Sequence, residues 1–246
     1  LDPRAPANAV IQDIELAPRN AQGLVEYVTD IEILRPREAA RGNGVILVDV
    51  VNRGNKRAIA NYNADVPSDM ASVNGLRSAG DGFLMAEGYT VVWFGWQADL
   101  VAGGGRVRLQ APVARQADGS AITGVVRSEI VVGAPARSLP LSAGWFTGQT
   151  HHAYATVSVD HTTPLADGFK PTLTVRAKEN APRVEVPASA WRFADCPEGQ
   201  PAQPSATRIC LDGGFQPGRL YELIYRARDP IVLGVGFAAL RDVGAF

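Results

Sequence analysis

The spacing of apolar residues changes character along the chain. Residues 25–34, VEYVTDIEIL, alternate: Val25, Tyr27, Ile31 and Ile33 share one face, and Glu26, Asp30 and Glu32 share the other. That pattern predicts a half-exposed strand. Residues 45–51, VILVDVV, are apolar on both faces apart from Asp49, and residues 89–94, YTVVWF, behave alike. Strands of this kind are typical of a central, usually parallel sheet covered by helices. Residues 1–100 therefore read as the first part of an α/β sheet.

Beyond Leu100 the period shortens. Gly103, Gly104 and Gly105 form a turn, and short alternating segments follow at 125–132, 153–159 and 173–177. Turn signals at 166–169 (ADGF) and 178–182 (KENAP) separate them, and no helical period intervenes. Residues 101–215 read as a β-rich, sandwich-like insertion, and residues 216–246 as a strand and helix returning to the first sheet. The strand is RLYELIYRA, 219–227. The helix is expected over 229–246, with Asp229 as N-cap and Pro230 at the first helical position. Val232, Val235, Gly236, Ala239, Leu240, Val243 and Phe246 form its apolar stripe. It has no C-cap, and the chain starts at Leu1 without a signal sequence, so the expectation is a piece of a longer protein, truncated at both ends. The expected fold class is α/β with a large β-rich content.

Composition narrows the function classes. The 246 residues are 46% hydrophobic, which excludes a disordered chain, and 25 Gly with 17 Pro exclude a coiled coil. Lys and Arg, 24 together, balance 25 Asp and Glu, removing the basic surplus of a nucleic-acid binder. No apolar run approaches the roughly 18 residues of a membrane span. Neither a nucleic-acid nor a membrane partner is expected.

Candidate chemistry is sparse. No Ser from Ser68 to Ser205 has Gly at both offsets of a GxSxG nucleophile elbow; Ser120 and Ser142 are the nearest lookalikes. No catalytic residue is identified in the chain. Gly234, Gly236 and Ala239 spell the GxGxxA form of a dinucleotide fingerprint, but the expected helix starts before them and no acidic partner follows, so packing explains the small residues. His151 and His152 point to opposite faces of any strand and His161 lies apart, so no metal is expected. Gly103 to Arg106 lacks the Lys-Ser/Thr of a phosphate loop. No cofactor is expected.

Two features remain. Cys196 and Cys210 flank a Pro-, Gln- and Ser-rich stretch. They read either as two free buried thiols or, the favoured reading, as a disulfide contributing about 3 kcal/mol through loop closure. A disulfide implies a periplasmic or secreted location. Asn52, Arg53, Gly54 and Asn55, followed by Lys56, come directly after the apolar strand 45–51. Open α/β sheets place ligands at that end of a strand. The segment is either a solvated turn or a loop whose backbone N–H groups hold an oxyanion.

Several runs together resemble the amino-terminal part of bacterial alpha/beta hydrolase domain-containing proteins, a serine-esterase-like group. They are LAPRNA (16–21), VEY (25–27), RGNG (41–44), NRGNK (52–56), GFLMAEGYTVVWFGWQADL (82–100), ITGVVRSE (122–129), GGFQPGRLYELIYRARDP (213–230) and GFAALRD (236–242). The resemblance implies an incomplete α/β-hydrolase-like sheet with a β-sandwich-like insertion, and a serine carboxylic-ester hydrolase acting on a small-molecule ester. It places Asn52 to Asn55 where such enzymes build part of the oxyanion hole. It also implies that the catalytic triad lies outside this chain, in the remainder of the polypeptide or in a companion chain. The chain alone is then inactive. The rival reading is a non-catalytic β-sandwich module that binds a carbohydrate or a partner protein through Trp145, Phe146, Tyr154 and Trp191.

Overall fold

A computed structural model describes residues 1–142 and 151–245, without the side chain of Met70. The chain is β-rich and divides into two compact units: Leu1–Ala114 with the residues from Ile231 onward, and Arg115–Pro230. The boundaries of these units fall at 114/115 and 230/231, whereas the apolar spacing changes at 100/101 and 215/216.

In the first unit, short strands β1 (Val28–Thr29) and β5 (Leu109–Gln110) pair with each other. Strands β2 (Ile31–Leu34), β3 (Ile46–Val50) and β4 (Thr90–Phe94) form one sheet in the order β2-β4-β3. β2 runs antiparallel to β4, with Ile31 opposite Phe94, and β3 runs parallel to it, with Ile46 opposite Thr90. Between β3 and β4 lie three short helices, α1 (Ala58–Tyr62), α2 (Met70–Asn74) and α3 (Phe83–Ala86). Val51, Ala58, Ile59, Leu84, Val91, Trp93 and Val107 pack into the core on one face of this sheet.

The other face differs from expectation. The registers put Ile31 and Ile33 of β2, Val92 and Phe94 of β4, and Ile46, Val48 and Val50 of β3 on one side. Val92 and Phe94 are buried, but the other five are between 36% and 62% exposed. Strand β3 is therefore not buried on both faces; among the described residues it is an edge strand paired with β4 alone, and Ile46, Val48 and Val50 stay exposed. The burial expected for Ile31 and Ile33 is likewise inverted. Their neighbour Glu32 turns toward the Lys56 ammonium, and that pairing fixes which side of β2 meets the core.

The carboxyl-terminal helix α4 (Val235–Ala245) starts later than its sequence stripe suggested. Asp229 has φ 60° and cannot act as N-cap in that conformation, while Ile231 and Leu233 are extended enough to bridge Val113 and Gln12. Gly234, with φ 90°, turns the chain into the helix. A Cβ on Gly236 would lie 2.3 Å from the Trp96 carbonyl oxygen, so helix packing accounts for that glycine of the GxGxxA pattern. The Tyr27 hydroxyl donates to Asp242 at 2.7 Å, and Arg241 donates to Asn8 Oδ1 at 2.9 Å, fastening α4 within its unit.

The second unit contains a four-stranded antiparallel sheet and a three-stranded one. The first is built from β6 (Thr123–Ile130), β8 (Thr172–Arg176), β9 (Val184–Glu185) and β14 (Leu220–Arg228), in the order β6-β14-β8-β9. The second joins β7 (Ala136–Pro140), β10 (Trp191–Arg192) and β13 (Arg208–Phe215), in the order β10-β13-β7. A two-stranded piece, β11 (Ala194–Asp195) with β12 (Gln203–Pro204), lies beside them. Ile130, Leu173, Tyr221, Leu223 and Tyr225 of the first sheet share a core with Trp191, Ile209, Leu211 and Phe215 of the second. Alternation along β14 sends its odd-numbered residues into that core and its even-numbered ones outward. The segment 153–159 is not a strand. It carries a single bridge, Thr156 to Ala227, because Thr156 donates its N–H to Ala206 while Val157 donates to Arg226, so the segment spans two elements instead of pairing with one.

Candidate functional site

The carboxyl ends of the parallel strands β3 and β4 bring together the polar residues with the most specific geometry. Asn52 to Asn55 form a tight turn in which Arg53 and Gly54 both have positive φ, 55° and 75°. The Asn55 N–H donates to the Asn52 carbonyl at 3.1 Å, closing a type I′ turn. Glycine is required at position 54. An added Cβ would sit 2.7 Å from the Val107 carbonyl oxygen and 2.9 Å from the Arg106 Cβ. Val107 in turn donates its N–H to the Gly54 carbonyl at 3.0 Å, fixing the turn to the following loop.

Each amide of the turn has a distinct fate. The Arg53 N–H donates to the side-chain carbonyl Oε1 of Gln97 at 2.7 Å. The Asn55 N–H and Nδ2 are both spent on the Asn52 carbonyl. The Gly54 N–H has no partner among the described residues. The Arg53 guanidinium lies 3.7 Å from Asp99, with both side chains partly exposed.

Three residues not read as candidates from the sequence hold this arrangement. Buried Asn74 accepts the Lys56 N–H at 3.0 Å and donates to Asn55 Oδ1 at 2.9 Å and to the Gly104 carbonyl at 2.8 Å. Asp49, the one polar residue of β3, accepts the N–H groups of Arg57 and Ala58 at 2.8 Å and the Trp93 indole N–H at 3.0 Å. A single carboxylate oxygen thus satisfies the first amides of α1 and ties β3 to β4. Gln97, just past β4, supplies the acceptor for Arg53. Asp49 stands out in the sequence as the polar exception in an apolar run, but nothing local marks Asn74 or Gln97, which act on residues 18 to 44 positions away.

The other sequence candidates fall elsewhere. Ser142 donates its hydroxyl to the His151 carbonyl, and the Ser120 N–H is bonded to Asp118 in a turn. His161 is buried, donates Nε2–H to the Ala188 carbonyl at 2.9 Å and stacks 4.1 Å from Trp191. Among the described residues no group of three or more His, Cys, Asp or Glu could hold a metal ion. Trp191 is 2% exposed and belongs to the core, so it cannot line a binding face. Tyr154 packs against the same core, and its carbonyl accepts the Tyr225 hydroxyl. Trp145 and Phe146 lie outside the described residues.

Cys196 and Cys210 form a disulfide, buried at both ends, across 14 residues. Such a bond fits an oxidising compartment. No helix among the described residues is long and apolar enough to cross a membrane.

The outer face of the four-stranded sheet carries a dense charge network. Glu222, buried on β14, receives two hydrogen bonds from Arg183 at 2.7 and 3.0 Å and one from Arg127 at 2.7 Å. Arg176, 3% exposed at its side chain, lies 3.6 Å from Glu222 and 3.1 Å from Glu129, and Arg127 also pairs with Glu129. Hydrogen bonds from Arg183 and Arg127 hold the Glu222 carboxyl down to about 2 against the opposing effect of burial. The carboxylates of this cluster are held by arginines, while the buried Arg176 Nε has no hydrogen-bond partner among the described residues.

Compared with protein-family models, with curated proteins and with solved structures, the chain matches none.

Proposed function

We propose that the chain is the amino-terminal part of a serine carboxylic-ester hydrolase acting on small-molecule esters. In this reading the first unit is an incomplete α/β-hydrolase-like sheet and the second a sandwich-like insertion. A Ser-His-acid triad comes from the remainder of the polypeptide or from a companion chain, and the turn 52–55 contributes backbone donors to the oxyanion. The observation that carries the reading is the placement of this turn. It follows the carboxyl end of β3, parallel to β4, with Arg53 and Gly54 in left-handed conformations beside Gln97. Ligands of open α/β sheets bind at that end. The edge of β3, unpaired among the described residues, and the exposed apolar residues on that strand support a further neighbour. The buried disulfide supports a periplasmic or secreted location.

The test is an intact-mass spectrum after treatment with a fluorophosphonate probe. This chain is expected to stay unlabelled near 26.1 kDa, while the same chain joined to its companion segment takes up one probe and hydrolyses aryl esters. Labelling of the 26.1 kDa chain by itself overturns the proposal.

A second reading, a non-catalytic module binding a carbohydrate or partner protein, draws support from the compact second unit with a core of its own. The burial of Trp191 weakens it. Specific glycan-array binding by the whole chain, unaffected by substitutions in the turn 52–55, favours it.

A further inference from the structure

We propose that the Arg53 N–H is the oxygen-binding point of an acyl subsite and that Gln97 is its latch. In this arrangement the side-chain carbonyl of Gln97 holds the place that a carboxylate or ester carbonyl oxygen takes on binding. For esters the inference rests on the hydrolase reading; the subsite itself rests on geometry.

Arg53 is a non-glycine residue at φ 55°, a conformation that side chains seldom adopt and that turns its amide toward the segment after β4. That amide is bonded at 2.7 Å to an amide carbonyl oxygen, the same kind of acceptor that an acyl group presents. Of the neighbouring amides, that of Gly54 has no partner among the described residues and can join Arg53 in holding the oxygen, but the next two cannot. Asn55 is committed to the Asn52 carbonyl within the turn, and the Lys56 N–H to Asn74, which is itself buried and anchored through two further hydrogen bonds. Gln97 is only partly buried, and its flexible side chain can swing away while its backbone stays bonded to Leu109. The turn beneath does not follow that motion, because the packing around Gly54 and the Val107–Gly54 hydrogen bond hold it in place. Release of Gln97 therefore exposes a fixed backbone donor; the Arg53 guanidinium on the same residue is paired with Asp99 at 3.7 Å, so the backbone amide supplies the attraction. A carboxylate is favoured over the neutral Gln97 carbonyl because a charged acceptor makes the stronger hydrogen bond.

An amide-resolved NMR titration of the 246-residue chain with sodium acetate, against sodium chloride at equal ionic strength, tests this. Acetate is expected to shift the Arg53 and Gly54 amides. Gln97→Ala should tighten acetate binding by roughly threefold to tenfold, the worth of one neutral hydrogen bond that no longer has to be displaced. Gln97→Glu keeps an acceptor and adds a like charge, so it should abolish the response. If Gln97→Ala does not fold, Gln97→Asn, one methylene shorter, carries the same expectation. Equal acetate affinity in wild type and variant, or Arg53 and Gly54 amides that ignore acetate in both, overturns the latch. The titration requires no turnover, so the two readings fail separately. Acetate binding at Arg53 without ester hydrolysis by the chain plus companion segment overturns the hydrolase reading alone. Hydrolysis with an acetate-insensitive Arg53 overturns the latch alone.

Discussion

The ammonium of Lys56 lies 2.7 Å from the carboxylate of Glu32, and the two are unequally placed: the Lys56 side chain is 4% exposed, that of Glu32 43%. A lysine charge buried this deeply needs its partner, whereas the glutamate retains water. Removing Glu32 is therefore the more damaging change. Glu32→Gln is expected to lower stability by about 1–3 kcal/mol, less than a fully buried broken pair because Glu32 is partly solvated. Lys56→Met in the Glu32→Gln background should recover most of that loss. Urea denaturation of the single and double variants measures both.

Glu222 gives the second unit a defined acid sensitivity. Its folded-state value of about 2 lies below that of an unfolded glutamate, so the unfolded chain binds the extra proton as pH falls. The stabilisation is complete above the unfolded value, near 4.5, and is lost as pH falls toward about 2. Glu222→Gln should cost about 2–3 kcal/mol at neutral pH and flatten the melting temperature against pH across that window. Thermal melts between pH 2 and 7 check the slope, and an unchanged slope refutes the assignment.

Gly54→Ala should destabilise by about 2–4 kcal/mol, combining a left-handed backbone with a collision against the Val107 carbonyl. Gly23 has nearly the same φ, 76°, but nothing within 4 Å of an added Cβ. Gly23→Ala should therefore cost only about 1 kcal/mol. Comparing the two denaturant midpoints separates crowding from backbone strain.

Replacing Cys196 and Cys210 with Ser should lower stability by about 2–4 kcal/mol. Because both sulfurs are buried, mild reductant should leave the folded protein oxidised and act only once denaturant is added. Thiol titration with and without urea reads this directly.

The apolar edge at β3 predicts self-association of the isolated chain. Strands that face solvent usually carry a charge to prevent edge pairing, yet Ile46, Val48 and Val50 point outward together. Val48→Lys should reduce light scattering at high concentration while changing stability by no more than about 0.5 kcal/mol.

These residues also explain which parts of the fold were legible beforehand. Strand β4 was plain because Val91, Val92, Trp93 and Phe94 are all buried, so its continuous apolar run reflects its central position. The identical appearance of β3 misled, because apolar content does not reveal whether a neighbouring strand is present. The disulfide could be read from two cysteines around a polar loop. The carboxyl-terminal helix is legible but its start is not, since Asp229 and Pro230 look like a helix start while bridges at Ile231 and Leu233 hold the segment extended. In the candidate site, Arg53 and Gly54 were visible from their place after an apolar strand. Asn74 and Gln97 were not, because polar loop residues that act on distant backbone leave no periodic trace.

The two chain crossings between the units run side by side: Val113 bridges Ile231 within the first unit, and Arg115 pairs with Asp229 at 2.6 Å within the second. This has a consequence for the order of assembly. Strand β4 leaves the ribosome long before α4, and the first unit cannot complete its core until the whole intervening segment has emerged. Closing so long an unstructured loop is slow and entropically costly. If residues 115–230 fold first, their ends are drawn together, and the remaining search reduces to a short loop closure. The inserted unit then brings α4 back to the unit that flanks it in sequence.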